Sequence, residues 1–270
     1  MPTLTINNAK IHYLDSDPNN TDKPVMVFAH GLLWGTHLYD NQVAYYKDHY
    51  RCIRFDFRGQ GKSEVTKSGY DMDTLADDAI ALIEHLGIKK CTLVGLSMGG
   101  FVGQRVAIKR PDLLDALILL ETSADAEDPS KIDDYKKLLT AIKFVGMKRI
   151  SKKVMPIMFG QTFLTDKSRK ADYKTWLKHL NANHKKGARL ATKGVIERDA
   201  VIDKLANITT PTLVIVGDED VATPYAKAER IHFAIEGSKL AVIQGAGHTV
   251  TVEEPEKLHR VMDKFLKKFT

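Results

Sequence analysis

The chain has 270 residues, of which 43% are hydrophobic and 27% charged, so it is large enough to bury one sizeable core. Its 2 cysteines are too few for a disulfide framework, and no apolar run approaches the ~20 residues that span a bilayer. The net charge of +6 comes without any nucleic-acid-binding motif, so neither nucleic acid nor a membrane is an expected partner.

The N-terminal region lacks the basic residues and apolar stretch of a secretory signal peptide, so we expect a cytoplasmic protein. Thr3–Ile6 and Lys10–Leu14 flank Asn7-Asn8 and are predicted to form a hairpin. Six short apolar runs follow, with the length and β-branched content of strands buried on both faces. These runs are Val25–Ala29, Arg51–Phe55, Cys91–Val94, Ala116–Leu120, Thr212–Val216 and Lys239–Ile243.

Helical patterns alternate with these strands. Asp73–Leu86 has apolar residues at helical spacing, with Asp73 as the predicted N-cap and Gly87 just past the end. Met98–Lys109 and Pro255–Lys268 are two further predicted helices. Strands alternating with helices predict an α/β fold, in which a mostly parallel central sheet is covered by helices on both faces.

The alternation stops between residues 124 and 206, where the pattern is helical and no strand run occurs. We predict a helical cap here, inserted into a core domain formed by residues 1–123 and 207–270 and lying over the carboxyl edge of the sheet. Its bulky apolar residues should pack the cap on the core; they are Phe144, Met147, Met155, Met158, Phe159, Phe163, Trp176 and Leu180.

The predicted cap is also basic, with 19 Lys and Arg against 10 Asp and Glu, a net charge of +9. The lysines are scattered and have no interleaved aromatic residues, so we interpret them as a solvated helical surface. Attraction of anionic substrates is the alternative interpretation.

A candidate nucleophile lies between the predicted strand Cys91–Val94 and the predicted helix Met98–Lys109. Gly95-Leu96-Ser97-Met98-Gly99 is a G-x-S-x-G pattern between the two elements. A serine hydroxyl is a weak nucleophile that needs an exposed position, a base and support for the developing oxyanion. A sharp strand-to-helix turn exposes the serine, and the helix N-terminus adds positive potential. Ser97 is therefore predicted to be the nucleophile.

Two polar loops follow the last two predicted strands and supply the other candidate catalytic groups. His248 lies in a glycine-rich loop after the last strand and is predicted to be the base that takes the Ser97 proton. After the preceding strand, Asp218, Glu219 and Asp220 compete as the acid that orients His248. Spacing alone does not decide between them.

These features together resemble the α/β-hydrolase superfamily over essentially the whole chain. The order Ser97, Asp220, His248 is the expected triad order, and the resemblance selects Asp220, three residues after Gly217. Further matches are His30-Gly31, Asp56-Phe57-Arg58-Gly59-Gln60-Gly61-Lys62-Ser63, and Gly247-His248 followed by Glu253-Glu254-Pro255-Glu256.

The resemblance also implies an oxyanion hole, formed by the backbone N–H groups of Leu32 and Met98, and no metal or organic cofactor. His30 itself is interpreted as structural, and Arg58-Gly59-Gln60-Gly61 as a turn that does no chemistry. A phosphate-binding loop is disfavoured because Asp56 stands where its first glycine is required. Dinucleotide binding is equally disfavoured, since Ser97 stands where the glycine-rich motif of dinucleotide-binding proteins has its second glycine.

Within the superfamily, the chain is most similar to 3-oxoadipate enol-lactonase-like hydrolases and small carboxylesterases. Ser97 through Gln104 and Arg198-Asp199 before Leu205 carry this likeness. It implies a carboxylic ester hydrolase that forms an acyl-enzyme with small esters. Lactone hydrolysis, carbon–carbon hydrolysis and perhydrolysis on the same triad are alternatives. A non-catalytic small-molecule-binding protein is the alternative from another class, and the oligomeric state stays open.

Overall fold

The computed structural model describes residues 2–19 and 22–267. Its strands are β1 (Thr3–Ile6), β2 (Ala9–Asp15), β3 (Val25–Ala29), β4 (Arg51–Phe55), β5 (Cys91–Leu96), β6 (Leu114–Leu120), β7 (Thr212–Gly217) and β8 (Lys239–Ile243). They form one sheet in the order β1-β2-β4-β3-β5-β6-β7-β8. β2 pairs antiparallel with both of its neighbours, and every pair from β4 to β8 is parallel. The predicted α/β class with a mostly parallel sheet is confirmed.

The predicted strands all appear, with bounds that differ from the expected ones by at most two residues. Asn7 and Asn8 both adopt positive φ, at 45° and 62°, as the tight turn of the predicted hairpin requires. Every residue of β5 and β7 is buried, which explains why these strands are nearly continuous apolar runs.

The α-helices of the described residues are α1 (Asp40–Tyr46), α2 (Met72–His85), α3 (Met98–Lys109), α4 (Ile132–Val145), α5 (Met147–Met158), α6 (Gln161–Thr165), α7 (Lys170–Asn181), α8 (Lys185–Ile196), α9 (Tyr225–Ala234), α10 (Val250–Glu253) and α11 (Pro255–Leu266). The predicted last residue of the terminal helix, Lys268, lies outside the described residues. No helix of the described chain is long and apolar enough to cross a membrane.

The predicted N-cap of α2 is wrong. The helix begins at Met72, so Asp71 is the cap, and its carboxylate accepts a hydrogen bond from the Thr74 N–H. Asp73 lies two residues after this cap, inside the first turn, and pairs with Lys109 of α3 instead. The sequence pattern could not separate two aspartates that stand two positions apart at a helix start.

The sheet separates two apolar cores. Alternate residues of β3 show the division, since Val27 and Ala29 face one core while Met26 and Phe28 face the other. α2, α3 and α9 contribute to the first core, and α1 and α11 contribute to the second. This arrangement leaves the carboxyl ends of the parallel strands together at one edge, called the carboxyl edge below.

Helices α4 to α8, called the inserted helices below, lie between β6 and β7 in the chain. α8 packs closely on the core, because a Cβ on Gly187 would lie 1.9 Å from the Gly59 carbonyl oxygen. Most of the bulky apolar residues expected here are buried, but Phe144 is 72% exposed and does not pack on the core. The division of the chain at residues 123 and 206 stays a prediction.

Candidate active site

Ser97 occupies a strained turn between β5 and α3. Its φ of 53° and ψ of −112° are rarely adopted by a residue with a side chain. Hydrogen bonds fix this conformation: the Ser97 N–H donates to Leu120 at 2.9 Å, and the Thr122 hydroxyl donates to the Ser97 carbonyl at 2.8 Å. The N–H of Gly100 donates to the same carbonyl at 2.8 Å. The surrounding structure therefore holds the serine at the point where the strand ends and the helix begins.

The glycines around Ser97 are required by close backbone contacts. A Cβ on Gly95 would lie 2.3 Å from the Gly99 carbonyl oxygen, and one on Gly99 would lie 1.9 Å from the Ala29 carbonyl oxygen. Both neighbours are backbone atoms, which cannot move aside as a flexible side chain could. The G-x-S-x-G pattern is thus explained by packing of the turn against β3 and α3.

Asp220 and His248 form a buried pair. His248 Nδ1 lies 2.8 Å from Asp220 Oδ2, and the Asp220 side chain is fully buried. The same carboxylate accepts hydrogen bonds from the N–H groups of Ala222 and Thr223, at 2.8 and 3.1 Å, and from the Thr223 hydroxyl at 2.7 Å. Burial alone would raise the pKa of Asp220. The attraction and hydrogen bond of His248 outweigh burial, with help from Thr223, and the pKa falls below its ordinary value.

The other two acids of this loop have different partners. Asp218 accepts a hydrogen bond from the Gly245 N–H at 2.6 Å, and Glu219 accepts one from the Thr162 N–H at 2.8 Å. Asp220 is therefore the acid of this loop that contacts His248. The side-chain contacts make a distinction that spacing along the chain could not make.

Ser97 and the Asp220–His248 pair lie at the same carboxyl edge of the sheet. The Ser97 turn is bonded to the end of β6, where Glu121 follows. The Glu121 N–H donates to Ile215 of β7 at 3.0 Å, and its carboxyl accepts from Gly217 at 2.9 Å. Gly217 is the last residue of β7, directly before the loop that carries Asp220. A continuous hydrogen-bonded path thus joins the turn of the candidate nucleophile to the loop of the candidate acid.

His30 is structural, as the sequence indicated. Both ring nitrogens are used inside the protein: Nε2 accepts from the Phe57 N–H at 3.0 Å, so the proton resides on Nδ1, which donates to the Gly31 carbonyl at 2.7 Å. Complete burial lowers the pKa of His30, which keeps the ring neutral. The imidazole therefore fixes the loop that leads to Leu32.

Gln60 contacts both segments that carry the candidate oxyanion donors, the loop after His30-Gly31 and the start of α3. Its Oε1 accepts from the Leu33 N–H at 2.7 Å, and its Nε2 lies 3.7 Å from Met98 Sδ. Leu33 has a φ of 68°, so the loop beside Leu32 is locally strained. Met98 is the first residue of α3, where a backbone N–H has no acceptor within the helix.

Glu253 holds the loop of His248. Its carboxylate accepts hydrogen bonds from the N–H groups of Gly247 at 3.0 Å and Thr249 at 2.9 Å, one on each side of the histidine. It also accepts from Gly160 of the inserted helices at 2.7 Å. Burial raises the pKa of Glu253 to about 7, although these three hydrogen bonds oppose the rise.

Sequence reasoning missed the roles of Gln60, Glu121 and Glu253. Gln60 was interpreted only as part of a turn, and Glu253 only as part of a matching motif. Glu121 directly follows the apolar run Ala116–Leu120, so its position at the carboxyl end of a predicted strand is the signal in the sequence. Within residues 2–19 and 22–267, no group of three or more His, Cys, Asp or Glu side chains could hold a metal ion.

Comparison with known proteins matches two parts of the chain to family models. The model described as alpha/beta hydrolase fold matches residues 24–140, and the model described as TAP-like protein matches residues 186–270. The chain is also 29% identical over 268 residues to 3-oxoadipate enol-lactonase 2 of Acinetobacter baylyi. That alignment covers 99% of this chain and 97% of the relative.

Solved structures agree with these matches. A thermophilic esterase from Thermogutta terrifontis, solved with malate bound, superposes with a TM-score of 0.89 at 28% identity, covering 99% of this chain and 98% of the esterase. The enol-lactonase from Burkholderia xenovorans has a TM-score of 0.91 at 24% identity, with 98% and 100% coverage. At that identity the second likeness shows the shared fold alone.

Proposed function

Because this chain belongs to the α/β-hydrolase superfamily, a family of hydrolases, we propose that it cleaves small carboxylic esters through an acyl-enzyme on Ser97. One observation carries the proposal: a strained serine turn and a buried Asp–His pair, with 2.8 Å between its atoms, share the carboxyl edge of one sheet. Nucleophile, base and orienting acid are the three groups that ester cleavage by a serine requires.

In the proposed reaction, His248 Nε2 takes the hydroxyl proton of Ser97 as its oxygen attacks the ester carbonyl. Asp220 holds the Nδ1–H of His248 and stabilises the cation that forms. The backbone N–H groups of Leu32 and Met98 donate to the oxyanion of the tetrahedral intermediate. Collapse expels the alcohol, which takes its proton from His248, and water then releases the acid by the same steps.

The strained backbone of Ser97 supports the oxyanion hole of this proposal. Neighbouring backbone and the Thr122 hydroxyl hold the turn in place before any substrate arrives. The Met98 N–H, which follows Ser97 directly, is therefore oriented in advance, and a preorganised donor costs no reorganisation at the moment of reaction.

Lactone hydrolysis is the second candidate, favoured by the relative named 3-oxoadipate enol-lactonase 2. A lactone is a cyclic ester, so the same attack opens it, but the alcohol formed stays attached to the acyl group. Comparing kcat/KM for short p-nitrophenyl esters with that for a five-membered enol-lactone would rank the two candidates.

The nucleophile is tested by Ser97→Ala. We expect loss of p-nitrophenyl ester hydrolysis and of labelling by a fluorophosphonate probe, with an unchanged unfolding midpoint. The matched control is Ser151→Ala, since Ser151 is a buried serine on α5 that bonds to Asn181. Ser151→Ala should keep both activity and labelling. Wild-type turnover in Ser97→Ala would refute the proposal.

The acid is tested by comparing Asp220→Asn with Asp218→Asn. Asp220→Asn cannot stabilise the His248 cation, so we expect kcat to fall by as much as ~10⁴-fold. Asp218 is bonded to the exposed Gly245 N–H, and its variant should lose little activity. A large loss in Asp218→Asn alone would show that the wrong carboxylate was chosen.

A further inference from the structure

Glu121 is a fully buried carboxyl group that the proposed reaction does not use. It follows β6 with a φ of 45°, a left-handed conformation that turns the chain at the end of the strand. The Gly217 N–H donates to both of its oxygens, at 2.9 and 3.0 Å. The side chain is thereby held over the start of the loop that carries Asp220.

The Glu121 carboxyl is anchored on Gly217, three residues before Asp220, and side-chain hydrogen bonding between Glu121 and Asp220 raises the pKa of Glu121 and lowers that of Asp220. Two buried carboxylates in contact repel each other, so such a pair is stable when one of them keeps its proton. Asp220 receives donors from His248, Ala222 and Thr223, all of which favour its charged form. Glu121 receives a single backbone N–H, so the proton belongs on Glu121.

The charges that face Glu121 agree with this assignment. Burial is the largest influence and raises the pKa of Glu121 well above its usual range, and the neighbouring carboxylates of Asp220 and Glu253 raise it further. The Gly217 N–H opposes the rise but does not offset it. His248 bonds to Asp220 and favours the charged form of that carboxylate.

We propose that Glu121 is a positioning residue, a neutral carboxylic acid that donates its proton in a hydrogen bond to Asp220 and so fixes the carboxylate that orients His248. This inference rests on the proposed function. The proton of Glu121 stays in place during turnover, and no bond to it breaks. Glu121 thus extends the Asp220–His248 pair by one buried group from the adjacent strand.

Glu121→Gln and Glu121→Met test the proposal. Glutamine mimics the neutral acid, since its amide can donate to Asp220 while its oxygen accepts from Gly217. We expect kcat within about threefold of wild type and an unchanged acidic limb of the kcat/KM profile. Methionine has a similar size but no donor, and should lower kcat about tenfold to a hundredfold with little change in KM.

Two outcomes would overturn the proposal. If Glu121 is ionised, Glu121→Gln deletes a negative charge near His248 and moves the acidic limb to lower pH. If Glu121→Met folds and keeps wild-type kcat, the hydrogen bond to Asp220 has no positioning role. Should Glu121→Met fail to fold, the pH profile of Glu121→Gln alone decides.

The downfield NMR resonance of the His248 Nδ1 proton separates failure of this inference from failure of the proposed function. The resonance reports on the Asp220–His248 pair whatever reaction the protein performs. We expect it to stay in place in Glu121→Gln and to move in Glu121→Met. A shift in Glu121→Gln with none in Glu121→Met would contradict the inference, even if no ester is hydrolysed.

Discussion

The substitution Gln60→Leu tests whether a buried side chain outside the triad holds the oxyanion loop. Gln60 is 1% exposed and accepts from the Leu33 N–H at 2.7 Å. Leucine has a similar volume, so the cavity stays filled while the hydrogen bond is lost. The substitution therefore removes a polar group at this position without leaving a cavity in the core.

The structure gives the size of the expected effect. A buried backbone N–H left without a partner costs about 1–3 kcal/mol. The φ of 68° at Leu33 means that the loop is already strained, so losing its hydrogen bond favours relaxation into other conformations. A penalty of about 1–3 kcal/mol lowers the population of the competent loop by about 5-fold to about 160-fold. The upper end of this range approaches the ~10²-fold to ~10³-fold loss of kcat that follows removal of one oxyanion donor.

Steady-state hydrolysis of a p-nitrophenyl ester measures the effect. We expect kcat to fall within that range and KM to change little, because the oxyanion forms only in the transition state. Met98→Leu is the matched control, since it removes the sulfur near Gln60 Nε2 and keeps the backbone N–H of residue 98. Its kcat should stay within about twofold of wild type.

A folded Gln60→Leu protein with wild-type kcat would refute this reasoning, since the loop would then hold its conformation without the hydrogen bond. A rise in KM with unchanged kcat would also refute it, because the side chain would then act on substrate binding alone.

Two further predictions concern stability. Gly99→Ala forces a Cβ to within 1.9 Å of the Ala29 carbonyl oxygen and should lower the unfolding free energy, measured by urea titration, by about 3 kcal/mol or more. The matched control is Gly103→Ala, whose Cβ would lie 3.3 Å from the Leu117 side chain and 3.7 Å from those of Leu119 and Leu93, and whose unfolding free energy should change by about 1 kcal/mol or less. A small loss in Gly99→Ala would mean that α3 is free to move away from β3. The pKa of Glu253 is raised to about 7, so the folded state binds the proton of this carboxyl more tightly than the unfolded state does. The free energy of unfolding therefore falls as the pH rises from about 4.5 to about 7. Relative to Glu253→Gln, wild type should lose about 3 kcal/mol of unfolding free energy over that pH range. A difference in unfolding free energy between the two proteins that stays constant with pH would contradict the raised pKa.

The sequence by itself determined the fold class and the strands. Strands buried on both faces need continuous apolar runs, and the runs at β3 and β4 have the bounds that the structure gives them. The G-x-S-x-G turn was also readable, because the close contact that demands glycine at residue 95 is with Gly99, only four positions along the chain. Features that depend on residues close together in the chain can be predicted directly from the sequence.

Tertiary structure alone decided which side chains meet. Spacing left Asp218, Glu219 and Asp220 open, and only the resemblance to α/β-hydrolases favoured Asp220. The structure gives the three acids separate partners, at Gly245, Thr162 and His248. The hydrogen bond from the Gly217 N–H to the Glu121 carboxyl joins residues 96 positions apart in the chain. Such pairs depend on strand register and on how each loop turns at the carboxyl edge, and those properties arise from packing of the whole sheet.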